Sequence, residues 1–112
     1  MNRVNLPLYK DQDYFYSVVL DGVACVIRLF YVQRSDGWFM DLRENEGEYF
    51  VQGMRIVPDY PMTIDYPSVP LNGFFLLQAI GDSNRKFRED SFNLHKWFRF
   101  YFITDYEEVL DI

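Results

Sequence analysis

Tyr14-Phe15-Tyr16-Ser17-Val18-Val19-Leu20, then Asp21-Gly22, then Val23-Ala24-Cys25-Val26-Ile27-Arg28-Leu29-Phe30-Tyr31-Val32: this stretch decides the fold. The first run is aromatic and β-branched and holds no breaker, so it reads as a strand. Asp-Gly suits the positive φ values of a two-residue hairpin turn. The chain then resumes with Val23, Cys25, Ile27, Leu29 and Tyr31 on one face, unbroken and apolar. The other face is mixed: Ala24, Val26, Arg28, Phe30 and Val32. Two apolar runs around a tight turn predict an antiparallel hairpin.

The same pattern continues outward. Gln33 to Gly37 is a turn ending in a second Asp-Gly. In the next run Trp38, Met40 and Leu42 alternate with Phe39, Asp41 and Arg43, apolar against mostly wet. An acidic turn, Glu44 to Glu48, leads into a strand over Tyr49 to Val57. There Phe50, Met54 and Ile56 share a face opposite Val51, Gly53 and Arg55, and Gly53 signals a bulge or a close backbone approach. Pro58, Pro61, Pro67 and Pro70 make Pro58 to Asn72 an extended connection with an apolar edge of Tyr60, Met62, Ile64 and Tyr66. Gly73 to Ile80 is the fifth strand, Gly81 to Asn93 a polar connection with room for a short helical turn, and Leu94 to Thr104 the last strand. In that last strand both faces carry rings, which implies cover on both sides.

The expectation is therefore one all-β domain over residues 1–112, a small barrel or sandwich of about six antiparallel strands. An extended N-terminal arm (1–12) precedes it, and an acidic tail (105–112) follows. Eleven Phe, nine Tyr and two Trp bring aromatics to 20% of 112 residues, and such large rings let few strands close a core. No apolar run approaches the roughly 18 residues that span a bilayer, and the N-terminus lacks the apolar stretch of a signal peptide. With Cys25 the one cysteine, no intrachain disulfide forms, which suits synthesis in a cytoplasm.

Catalytic chemistry finds little to use. His95 is the single histidine, so any Ser–His or Cys–His system depends on it. Cys25 falls on the apolar face of its strand, where cysteine acts as a small hydrophobe. The acids sit in turns and the tail, except Asp41, which falls on the wet face of its strand. Cys and His are too few for a zinc site, and the six scattered glycines form no phosphate loop. No catalytic, cofactor-binding or metal-binding residue is assigned, and the expectation is that the protein is not an enzyme. A net charge of -6 argues against general affinity for nucleic acid or anionic membrane. The bases Arg85, Lys86, Arg88, Lys96 and Arg99 form one positive region, read first as a solvated loop. One alternative function stays open, a ligand-binding β-domain for single-stranded nucleic acid or glycan. In it Phe98-Arg99-Phe100-Tyr101-Phe102 would offer rings for stacking.

Several segments in order carry a resemblance. They are Leu6-Pro7-Leu8, Leu20-Asp21-Gly22, Ile27-Arg28-Leu29 with Tyr31, Gly37-Trp38-Phe39-Met40-Asp41-Leu42, Gly47, Gly53, Ile56-Val57-Pro58, Pro70, Gly73, Arg88-Glu89-Asp90-Ser91-Phe92 and Phe98-Arg99-Phe100-Tyr101. Over nearly the whole chain this set resembles the baseplate plug family of contractile-tailed bacteriophages. The resemblance implies a structural protein of the virion, assembled in the host cytoplasm and built into the tail baseplate, plugging or bridging the tube–hub junction. It implies several copies among hub, tube or tube-initiator, and spike proteins, without cofactor, membrane or direct nucleic-acid contact. Interfaces of this kind are rich in Tyr, Trp, Phe and Met. The expected contacts are therefore Leu6, Pro7, Leu8 and Tyr9 of the arm, and Tyr60, Met62 and Tyr66 of the proline-rich connection.

Overall fold

The hairpin forms as the sequence dictates. Strands β2 (Asp13–Leu20) and β3 (Val23–Val32) pair antiparallel from Asp13↔Phe30 to Leu20↔Val23. Between them Asp21 and Gly22 both take positive φ, 50° and 77°, the turn that matches the twist of its strands. β4 (Gly37–Glu44) adds to β3, and β5 (Tyr49–Arg55) adds to β4, giving a four-stranded sheet in the order β2-β3-β4-β5. A second sheet has the order β1-β7-β6, built from β1 (Asn2–Leu6), β6 (Gly73–Ala79) and β7 (Phe98–Thr104). This computed structural model describes residues 2–63 and 71–104, so Ile64, Tyr66, Pro67, Pro70 and the acidic tail lie outside the described residues.

The two sheets form a sandwich-like fold rather than a closed barrel. The chain leaving β5 crosses between them. Ile56 N–H donates to the Trp38 carbonyl on β4, and Asp59 and Met62 then donate to the Leu77 and Phe75 carbonyls on β6. The start of the proline-rich connection is thus hydrogen-bonded structure, with bridges Pro58↔Leu77 and Met62↔Phe75. Asp21 helps at the far end, its carboxylate accepting the Asn72 N–H at 2.9 Å.

The core lies between the sheets. Ile27, Leu29, Trp38, Met40 and Leu42 from the four-stranded sheet meet Phe75, Leu77, Phe98, Phe100 and Phe102 from the other. Phe75 stacks on Phe100 with ring centroids 5.8 Å apart and tilts against Phe102 at 4.9 Å. Gly73 allows β6 and β7 to approach, since a Cβ there would lie 2.3 Å from the Ile103 carbonyl oxygen.

Four expectations need correction. The arm is not free: residues 2–6 are a seventh strand, paired with β7 from Asn2↔Thr104 to Leu6↔Phe100. Val4 and Leu6 turn to the core while Arg3 and Asn5 turn out, the alternation of a half-buried strand. The last strand starts later than expected, because residues 94–97 are helical. The segment 83–97 is a chain of short turns, including α1 (Lys86–Glu89) and α2 (Leu94–Trp97). It is pinned by side chains: the Trp38 indole donates to the Ser91 carbonyl at 2.6 Å, and the Trp97 indole to Asp90 at 2.9 Å. In β5 a bulge at Gln52 and Gly53 shifts the alternation. Leu42 therefore faces Val51 and Met40 faces Met54, so Val51 belongs to the core face. Finally, Asp41 is on the outer face as expected but is not wet. It is 9% exposed, and its carboxylate accepts the Gly53 N–H at 2.6 Å.

Candidate functional site

The residues that could support chemistry do not converge. Cys25 is fully buried on β3, and burial pushes its thiol pKa up, the nearby Glu44 charge adding to the effect. His95 sits half-buried in α2, its Nδ1 enclosed without a hydrogen-bond partner among the described residues. Among the described residues no group of three or more His, Cys, Asp or Glu could hold a metal ion. The Tyr16 hydroxyl is likewise enclosed without a partner among the described residues, and desolvation raises its pKa. These groups belong to separate elements: β2, β3 and α2.

The stacking platform expected for a nucleic-acid reader is spent on the core. Phe98, Phe100 and Phe102 are each 2% exposed or less. On the other side of β7 only Arg99 is open, while Tyr101 is half-covered by the Arg3 guanidinium, 4.8 Å from its ring centroid. Trp38 is also buried, so it offers nothing to a glycan.

What the surface does present is rings on rigid strands. The outer face of the four-stranded sheet carries Phe15 at 72% exposure and Val19 at 64%, with Tyr49 at its margin. An ion-pair line crosses this face. Arg28 donates to both Asp13 carboxylate oxygens, at 3.0 and 2.7 Å, and reaches Asp41 at 3.5 Å. Its plane also lies over the Phe30 ring at 4.3 Å. The hydrogen bond from Arg28 holds the Asp13 carboxyl below the ordinary carboxylate range. Arg28 is thus fixed in one pose beside Phe15, and a partner would meet an ordered surface.

The expected contact residues separate into two groups. Leu6 and Met62 are core side chains, each 4% exposed. Pro7 and Tyr9 are exposed, and Leu8 is half-buried. The Tyr9 N–H donates to the Tyr14 hydroxyl at 3.0 Å, and its ring meets Tyr14 edge-on at 5.1 Å, so this segment is anchored. Tyr60 stands out at 54% exposure. Tyr66 lies outside the described residues. Sequence reasoning did not single out Phe15, Val19 or Tyr49. The signal was present at the odd positions of β2, where Phe15 and Val19 alternate with an already apolar even face.

A charged cleft forms the remaining feature. Arg55 from the end of β5 and Arg85 and Arg88 from the helical segment line it, facing Asp36, with Ile56, Val57 and Phe87 as apolar walls. Asp36 accepts hydrogen bonds from the Tyr31 and Ser91 hydroxyls, which hold its carboxyl below the usual range.

A sequence model of the family described as cyanophage baseplate Pam3 plug gp18 matches residues 1–105. No curated protein matches the chain.

Proposed function

Because the chain belongs to the cyanophage baseplate plug family, we propose that it plugs or bridges the junction of tail tube and hub in a contractile phage baseplate, as a non-catalytic structural part. The family match over residues 1–105 carries this reading. The physical surface supports it. Large rings at Phe15, Tyr49 and Tyr60 stand exposed on an otherwise well-filled sandwich, and rings are what tight protein interfaces use. The proposed partners are hub, tube or tube-initiator, and spike proteins, with several copies per baseplate, assembled in the host cytoplasm.

The contact residues follow from exposure. Pro7, Leu8 and Tyr9, where the chain leaves β1, form one docking segment, and Tyr60 forms a second. Phe15 and Val19 add a third on the outer sheet face. β1 and β2 are sheet edges among the described residues, so each also has backbone groups for pairing with a partner strand. Particles assembled without this chain test the reading. They are expected to show open or missing baseplates by negative-stain electron microscopy. Normal, contractile, infectious tails would contradict it.

A further inference from the structure

The arginine cleft is not explained by the fold. Its volume is about 750 Å3. Three guanidiniums line it against one carboxylate, Asp36, which accepts from the Tyr31 and Ser91 hydroxyls and also feels the Arg55 charge, so positive charge remains in excess there. Among the described residues, Arg55, Arg85 and Arg88 have no ion-pair partner; the pairs formed are Arg28 with Asp13 and Asp41, and Lys86 with Glu89. Like charges gathered at a concave, partly apolar site favour an anionic occupant.

We propose that this cleft receives the acidic segment 105–112 of a second copy of the chain. That segment supplies Asp105, Glu107, Glu108 and Asp111, and interleaves them with Tyr106, Val109, Leu110 and Ile112. Arginine forks take carboxylates in pairs of hydrogen bonds, and the Ile56, Val57 and Phe87 walls take the apolar side chains.

Geometry favours a neighbouring copy over the chain's own segment. The cleft lies beside the start of β7, where the Phe87 ring meets Phe98 at 5.8 Å. The acidic segment begins after Thr104, at the opposite end of that strand, about 20 Å away at roughly 3.3 Å per residue. Eight extended residues span at most about 27–29 Å. Within one copy only the last of them would arrive, leaving Asp105 and Glu107 outside. Supplied by a neighbour, the whole segment can lie along the cleft. Cleft and segment are different surfaces, so the contact is head-to-tail and repeats into a ring or a filament. A ring suits an axial plug, but the inference rests on the chain's own surfaces and stands apart from the baseplate reading.

Sedimentation velocity on the purified chain tests it without any tail protein. The full chain is expected to associate as concentration rises, more weakly at high salt. Truncation after Thr104 and the double change Arg85→Glu with Arg88→Glu are each expected to raise the dissociation constant at least tenfold. Both arginines are exposed, and near-ultraviolet circular dichroism checks that the variants stay folded. A chain carrying Glu107→Arg and Glu108→Arg should not associate with itself, but should associate when mixed with the Arg85→Glu, Arg88→Glu variant. A monomer at every concentration, association that survives both changes, or no association in the mixture would overturn the proposal.

Discussion

Replacing Leu6 by Ala tests whether β1 is a true strand of the sandwich. Leu6 is 4% exposed, lies opposite Phe100 and belongs to the buried core. Leucine-to-alanine changes in closed cores cost about 2.7–5.0 kcal/mol, the larger values where the cavity stays open. β1 is an edge strand and can settle toward the gap, so the lower half applies, about 2.7–3.8 kcal/mol. For a domain of this size that corresponds to a drop in Tm on the order of 10–15 °C. Urea unfolding followed by tryptophan fluorescence measures it, because Trp38 is buried at 1% exposure and unfolding uncovers it. The midpoint should fall while the slope with urea stays the same. Tyr60→Ala, at a position 54% exposed, is the control and should stay within about 0.5 kcal/mol. A Leu6→Ala loss below about 0.5 kcal/mol, the range of a surface change, would mean that β1 does not hold the core and that the first residues act as a free arm.

Other outcomes follow from the same contacts. Gly73→Ala places a Cβ 2.3 Å from the Ile103 carbonyl oxygen, so β6 and β7 must part; thermal melting should show a loss of about 1–3 kcal/mol. The carboxyls of Asp13, Asp36 and Asp90 are held below their ordinary range by hydrogen bonds from Arg28, Tyr31 and Trp97 respectively. Their stabilisation is therefore present above the ordinary carboxylate range and lost as pH falls through the lowered folded values. Urea midpoints should drop below about pH 4, and Arg28→Gln should remove the Asp13 share of that drop. Cys25, fully buried with a raised thiol pKa, should react with a thiol reagent only at the rate of unfolding; rapid labelling of the native chain would contradict the core assignment. Phe15→Ser and Tyr60→Ser should leave unfolding unchanged within about 0.5 kcal/mol and reduce the amount of chain found in purified particles.

The hairpin and the next strand, β4, were legible because their alternation is nearly unbroken and both Asp-Gly pairs sit where turns must be. Asp21 and Gly22 even adopt the φ signs that the pair predicts. β1 was harder to read. Its five residues carry only Val4 and Leu6 as a signal, and Pro7 follows at once. What makes it a strand is the edge of β7, a tertiary partner that local pattern cannot reveal. The end of the helical segment was hidden for the opposite reason. Trp97 continues the alternation of Phe98 to Phe102, yet hydrogen bonds from Trp97 and Asn93 to Asp90 favour a turn there. Of the expected contact residues, Tyr9 and Tyr60 are exposed whereas Leu6 and Met62 are buried, since burial is decided by which sheet lies opposite. The arginine cleft joins residues about thirty positions apart, Arg55 with Arg85 and Arg88, so charge clustering along the sequence showed only half of it.

Cryo-electron microscopy of the purified tail tests most directly whether this chain plugs the baseplate. Density for this two-sheet sandwich is expected in the baseplate at the tube–hub junction, with Tyr60 and the outer face around Phe15 against neighbouring subunits. A baseplate complete without that density, or the chain found elsewhere in the particle with those rings in solvent, would contradict it.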